Sequence, residues 1–349
     1  MKHSYSDEIY HHRIAIFGPM PPPIGGVSVH VERVIAKLQQ QHNEIYHFNS
    51  TQEVRYQWFP YYVLKMLVFM LRFRPHIVMY HTSYLSNALQ ELAIMGLMQR
   101  IMCFKFMLIE HDCRFVHPLT RYQKKQYHAL LKRVWLQVFI GTQTKKSFEY
   151  HNLTALQHSL EVAFLPPDTR HARKLLAAYP AYIFDFTKKY HPIITANAFQ
   201  LSVIESGDLY GFDQLIEAFA LYKKDMPSAG LLLLLAQKGD DVLFEKMRLK
   251  IAHHSLTADI CLVIGNHLLW PLFTYTDLFV RPTRSDGASV SVQEALYCGV
   301  PVVASDVCWR PVECVVYKTG DIDALYRALK KELHAKAKCQ RNYLHQKST

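Results

Sequence analysis

Hydrophobic and polar positions along the chain alternate between two textures. Short runs are apolar almost throughout, and longer stretches carry apolar residues three and four apart. In the first half the short runs are "RIAIFG" at 13–18, "EIYHFN" at 44–49, "HIVMYH" at 76–81, "KFMLIEH" at 105–111 and "LQVFIGT" at 136–142. Runs of this length, apolar on both faces, are the strands of a parallel sheet covered on both sides. Helical spacing falls between them at 27–41, 87–102 and 122–134. The second half repeats the rhythm with "PIITANAF" at 192–199, "GLLLLLAQ" at 230–237, "ICLVIGN" at 260–266, "DLFV" at 277–280 and "VPVVASD" at 300–306. Helices are predicted there at 212–224, 242–254, 289–298 and 322–334. The alternation predicts an α/β protein of two doubly wound, Rossmann-like domains facing a central cleft. The domains divide at 1–185 and 186–349, with 165–192 as linker and bridging helix, and the tail after Lys336 frays.

One apolar stretch fits neither texture. "WFPYYVLKMLVFMLRF" at 58–73 is interrupted by Lys65 and is shorter than the roughly 20 residues that span a bilayer. Two readings stay open for it: a helix packed in the interior, or one lying partly on a membrane interface. The polar start "MKHSYSDEIYHHR" leads straight into the first strand and reads as lacking a signal peptide.

Composition then narrows the partners. A formal charge of +11 and a pI near 9.2 call for an anionic one. Seven cysteines, none in C-x-x-C spacing, point to a reducing compartment rather than a disulfide framework or a zinc site. No recognition motif for nucleic acid accompanies the charge. A Rossmann oxidoreductase would carry a compact glycine fingerprint and an acid ending the second strand, where this chain has only Asn49.

The candidate chemistry sits where strands hand over to helices. The first strand ends in "GPMPPPIGGVSVHVERV", which places Gly25 and Gly26 just before a helix starting near Val27. Glycines there admit a ligand to the backbone, and the free amides of the helix start favour an anion, though the same segment also reads as a plain turn. In "RSDGASVSVQEALYCGVPVVASD" the amides at Gly287, Ala288, Ser289, Val290 and Ser291 open a second helix. Asp286 sits on that loop and Glu294 about a turn further in, where a carboxylate can accept from two vicinal ribose hydroxyls. A capping box from Ser291 to Glu294 explains the same spacing without any ligand.

Taken together, "GPMPPPIGGVSVHVERV", "DLYGFDQLIEAFALY" and "RPTRSDGASVSVQEALYCGVPVVASD" resemble the retaining GT-B glycosyltransferases of group 1 (family four). The family's Glu-x7-Glu signature reads here as Asp286-x7-Glu294. The resemblance implies that Glu294 binds the ribose of a nucleotide-sugar donor and that Asp286 lies beside the transferred sugar. It implies further that 288–291 meet the diphosphate, that Gly25 and Gly26 lie near phosphate and acceptor, and that His111 is the histidine near the donor sugar. Where many members carry an Arg and a Lys to neutralise the diphosphate, this chain has Asn197 and Tyr210. Arg284 is the first substitute, with Arg281 and Lys238 behind it.

The implied reaction moves a hexose from a UDP-sugar to a glycan or lipid-diphosphate-linked acceptor, with retention and with neither metal nor cofactor. The basic first domain suits peripheral contact with an anionic membrane, and bacterial surface polysaccharide synthesis at the cytoplasmic face is the setting. The rival reading is a GT-B protein that has lost activity and persists as a binding partner.

Overall fold

The computed structural model describes residues 9–22, 24–49, 59–82, 88–111, 116, 119–161, 164–287 and 289–347. The chain forms two compact units, Met1–Leu165 and Pro166–Thr349.

Unit 1 is a parallel sheet of β1 (Arg13–Gly18), β2 (Glu44–Asn49), β3 (Ile77–Thr82), β4 (Lys105–Glu110), β5 (Leu136–Ile140) and β6 (His158–Glu161), in the order β2-β1-β3-β4-β5-β6. The apolar runs are strands because both faces are covered: all six residues of β3 are buried, as are five of six in β4. After β2 the chain returns past β1 to lay down β3, so the order reverses between β1 and β3. The carboxyl ends of those two strands border the crevice where such sheets take ligands. Gly18 closes β1 there, and a Cβ on it would lie 3.1 Å from the Cβ of His81 on β3.

Unit 2 repeats the plan with β7 (Ile193–Ala198), β10 (Gly230–Leu235), β11 (Ile260–Ile264), β12 (Leu278–Arg281), β13 (Val302–Ser305) and β14 (Val315–Tyr317), ordered β11-β10-β7-β12-β13-β14, all parallel. A small antiparallel pair, β8 (Val203–Ile204) and β9 (Gly207–Asp208), stands apart. Here the order reverses between β7 and β12. Gly211, at the start of the Phe212–Asp225 helix, has φ +69°, and a Cβ would fall 1.9 Å from the Pro282 carbonyl oxygen. Only glycine lets that helix start approach the strand end so closely.

The expected strands and helices form within three residues of their limits, apart from the last helix, and among the elements that were not expected are three with weak signals. β6 and β14 are short and partly exposed, and the Thr142–Tyr150 helix is polar, burying only Thr144, Ser147 and Phe148, so none has a strong hydrophobic signature. The segment read as linker and bridge belongs by its packing to unit 2, where Tyr179, Ile183 and Tyr190 join the core with Leu232 and Phe279. The tail expected to fray continues the Ile322–Lys347 helix. The stretch at 59–73 is a helix, Phe59–Phe73, that buries Tyr62, Met66 and Met70, and among the described residues no helix is long and apolar enough to cross a membrane. Among the described residues Cys103, Cys261, Cys298, Cys308 and Cys314 form no disulfide.

Candidate functional site

In unit 2 the reversal between β7 and β12 gathers a compact charged cluster. Arg281 ends β12 and forks onto Asp286, with Nε 3.0 Å from Oδ2 and a terminal nitrogen 3.2 Å from Oδ1. Its other terminal nitrogen donates across the crevice to the Asn197 carbonyl oxygen (3.1 Å) and side-chain oxygen (3.3 Å) at the end of β7. The same guanidinium lies over the Tyr210 ring, 5.3 Å from its centroid. A second cation, Arg310, reaches Asp286 Oδ2 at 3.0 Å and is fixed from behind by the Ser305 carbonyl at 3.0 Å. Burial opposes charge on Asp286, but the two arginines outweigh it and hold its carboxyl below the ordinary range. Two cations against one anion leave the cluster one unit positive.

The next helix, Val290–Tyr297, begins just beyond this cluster. Its N-cap is Ser289, whose side chain makes no capping bond but meets the Ser291 hydroxyl at 3.1 Å. Ser291 is therefore the second residue of the helix, two positions past the N-cap, and does not hold the place that a capping box with Glu294 requires. Glu294 is buried. Its charge reaches Tyr179, whose hydroxyl is pushed up by burial first and by Glu294 second. Tyr179 donates to the Leu268 carbonyl and stacks on His267, 4.8 Å between centroids. Glu294, Tyr179 and the loop at 265–270 thus form one wall. Gly287 donates to Asp286 Oδ1 at 3.1 Å; Ala288 lies outside the described residues.

Arg284 does not do what the sequence suggests. Its guanidinium forks onto Asp213 at 2.6 and 2.8 Å and donates to the Asp208 carbonyl at 2.7 Å, pinning the loop to the start of the Phe212–Asp225 helix. Those bonds, first among the causes, raise its pKa and commit it to a structural task. Lys238 is likewise engaged, 2.6 Å from Asp241. Of the three substitutes named from sequence, Arg281 is the one that meets both Asn197 and Tyr210. Arg310, 24 residues beyond Asp286, had no local signal at all.

In unit 1 the corresponding reversal collects histidines. His81 is the last residue but one of β3 and His111 follows β4, with His81 Nδ1 2.9 Å from His111 Nε2. His30, on the Gly26–Gln40 helix, packs edge-on to His111 at 5.0 Å between ring centroids. Burial, then the neighbouring imidazoles, drives the pKa of His81 and of His111 well below the usual value, so both are neutral at pH 7. Among the described residues His81 Nε2 is buried without a hydrogen-bond partner. One nitrogen from each of the three lies within 4.8 Å of the others, and neutral imidazoles so placed could hold a metal ion or bond to hydroxyl groups. Gly25 caps the adjoining helix in extended conformation, its N–H donating to Ser28 Oγ at 2.9 Å, and Gly26 is the first helical residue.

Residues 186–343 match the family model described as Glycosyl transferases group 1, which covers the sheet, charged cluster and helix start of unit 2. Over those residues unit 2 is similar to the group 1 glycosyl transferases. Solved structures extend the likeness to the fold of the whole chain. The Anabaena protein HepE in complex with UDP-glucose is 14% identical, with 94% of this chain and 91% of that one covered and a TM-score of 0.66. Sucrose-phosphate synthase from Thermosynechococcus elongatus is 14% identical over 93% and 90%, TM-score 0.64. A UDP-forming trehalose-phosphate synthase from Burkholderia xenovorans is 11% identical over 92% and 91%, TM-score 0.61. The chain has the GT-B fold. No curated protein sequence matches it significantly.

Two further acidic groups have other duties. The one Asp-x-Asp pair at Asp321 and Asp323 opens the last helix, where Asp321 accepts the Ala324 N–H at 2.8 Å. Glu110, next to His111, is buried and accepts from Thr82 Oγ1 at 2.7 Å, from Gln137 at 3.3 Å and from the Tyr127 hydroxyl. Burial raises its pKa from 4.5 to about 7 against those bonds. An acid that holds its proton more tightly when folded makes the fold lose stability as pH rises between those two values, and no further above the upper one. Glu110→Gln should therefore match wild type near pH 4 and be the more stable protein at pH 8, by up to about 3 kcal/mol. Thermal melting of both proteins across that range checks the sign.

Proposed function

We propose that this protein transfers a hexose from a UDP-sugar to a hydroxyl of a glycan or lipid-diphosphate-linked acceptor, with retention at the anomeric carbon. The observation that carries this reading is the Arg281–Asp286–Arg310 cluster beside the helix start at Ser289, at the order reversal of a group 1 glycosyl transferase sheet. Negative charge grows on the departing diphosphate as the sugar bond breaks. Helix-start amides and a net cation favour that charge without having to reorganise. Glu294, one turn inside the same helix, is assigned the ribose hydroxyls. Asp286 is held ionised between two arginines, which suits it to accept from a sugar hydroxyl and to position the cations rather than to donate a proton. HepE, with a similar fold, is known with UDP, with UDP and glucose, and with UDP-glucose bound, which supports the choice of UDP here.

Unit 1 is assigned the acceptor, with Gly25, Gly26 and neutral His111 at the carboxyl end of its sheet as contacts. No step of the reaction as assigned calls on a metal ion. The setting is surface polysaccharide synthesis at the inner face of a bacterial cell membrane. A second reading, an inactive GT-B protein kept as a binding partner, draws on the uncharged Asn197 and Tyr210. Calorimetric titration with UDP and GDP, followed by an assay for hydrolysis of UDP-hexose in the absence of acceptor, separates the two. UDP binding with measurable hydrolysis supports the transferase. Binding without any turnover supports the partner, and no nucleotide binding overturns both.

A further inference from the structure

The Phe59–Phe73 helix is apolar on two opposite faces. Tyr62, Met66 and Met70, at i, i+4 and i+8, are buried against the sheet of unit 1. Tyr61, Leu64, Val68 and Leu71, at i, i+3, i+7 and i+10, follow a second stripe on the other side and are 49%, 55%, 56% and 60% exposed, with Leu67 beside them. Such a stripe has no reason to exist on a helix that faces only water.

The neighbouring Ala88–Met102 helix widens it. Its Leu92, Met95 and Met98 share the core of the first helix, and the Tyr62 hydroxyl donates to its Glu91 at 3.1 Å, so the two helices lie side by side on one sheet face. On its outer side it exposes Leu97 and Ile101, the latter by 75%. The charges on this pair of helices are almost all of one sign. Lys65, Arg72 and Arg100 are basic, Arg74 follows directly, and the one acid on either helix, Glu91, is fully buried. Lys65 leans over the Tyr61 ring, 5.0 Å from its centroid, and Arg72 over Phe73 at 5.5 Å. Long cationic stems laid along an apolar stripe keep their heads at its border.

We infer that this two-helix face is a docking surface for an anionic lipid bilayer, with Leu64, Val68, Leu71, Leu97 and Ile101 entering the headgroup–acyl boundary and Lys65, Arg72, Arg74 and Arg100 meeting lipid phosphates. A helix of 15 residues, about 22 Å long, lies in the interface rather than across it. Charge complementarity selects the occupant. A second copy of the chain would bring the same basic border against itself, whereas an anionic membrane neutralises it. The inference deepens the proposed function by naming the partner of the acceptor-side unit, and rests on that reading only for its purpose.

Co-sedimentation of the full chain with phosphatidylglycerol–phosphatidylcholine vesicles, against phosphatidylcholine alone, tests it. Wild type should partition at least about tenfold better to the anionic vesicles, and raised salt should erase the difference. The triple variant Leu64→Ser, Val68→Ser, Leu71→Ser should lose about tenfold in binding, and Arg72→Glu with Arg100→Glu should lose the preference for anionic lipid. These side chains are exposed, so melting temperature and UDP affinity should be those of wild type. Intact UDP binding with no vesicle binding by wild type overturns the docking surface and leaves the function standing. Unchanged vesicle binding by the triple variant overturns it too, as does a dimer in lipid-free buffer that the triple variant turns to monomer.

Discussion

Glu294→Gln should weaken UDP binding at least tenfold while leaving the melting curve almost in place. A buried carboxylate accepting from two ribose hydroxyls makes charge-assisted bonds, each worth roughly 1.5–3 kcal/mol, and the amide keeps one acceptor and loses the charge. The residue is buried in a helix that begins at Val290, with its charge felt by Tyr179, so its geometry is fixed before any ligand arrives. Titration with UDP and with its 2′,3′-dideoxy analogue closes a cycle. In wild type, removing the hydroxyls should cost as much as the substitution does. In Glu294→Gln the loss on removing the hydroxyls should be much smaller than in wild type, because they have lost the carboxylate and keep only the amide oxygen. Equal and additive losses would make Glu294 a packing residue of the 265–270 wall instead.

Arg281→Gln should lower turnover by about a hundredfold to a thousandfold, the usual effect of removing one preorganised donor or cation from the charge that develops in acyl or phosphoryl transfer. The cluster arithmetic gives the reason. With Arg281 gone, Asp286 cancels Arg310, and the helix start proposed to meet the diphosphate has no net cation beside it. UDP affinity should fall less than turnover, since charge on the leaving group is largest in the transition state. Arg281→Lys should recover part of the loss: it restores the charge but not the fork onto Asp286. The decisive variant adds Asn197→Arg to Arg281→Gln. Asn197 already touches the Arg281 guanidinium, so a cation carried there occupies the same neighbourhood from the other strand. Rescue of turnover by that double variant would show that the position of the charge, not the identity of its parent residue, is what the site requires. A double variant as slow as the single one, with an unchanged fold, would remove Arg281 from the diphosphate.

The histidines of unit 1 respond differently from the arginines of unit 2. Burial keeps His81 and His111 neutral, so neither supplies charge at neutral pH, and any contribution they make is through hydrogen bonds or ligation. The two switch points of this chain therefore carry opposite electrostatics: neutral donors and acceptors in unit 1, a net cation in unit 2.

How much of this was legible beforehand follows from the range of each signal. Apolar runs such as "GLLLLL" mark buried parallel strands because a strand covered on both faces must be apolar at every position, so the two sheets, their order of elements and the Asp286–Glu294 loop could be read directly. β6 and β14 could not, being held by edge pairing rather than by burial, nor could the polar Thr142–Tyr150 helix, which buries only Thr144, Ser147 and Phe148. The partners of charges also lay beyond the sequence. Arg284 stands nearest to Asp286 in a list of cations, yet β9 and the start of the Phe212–Asp225 helix bring Asp208 and Asp213 to it first. Arg310 looks remote, but β13 runs parallel to β12 and delivers it to the same carboxylate. His30, His81 and His111 come from a helix and two strand ends spread over 81 positions. Hydrophobic periodicity is local and survives in one dimension, and it determined the fold. Which cation is free to meet a phosphate depends on where every acid lies in three dimensions, and only the packed sheet decided that.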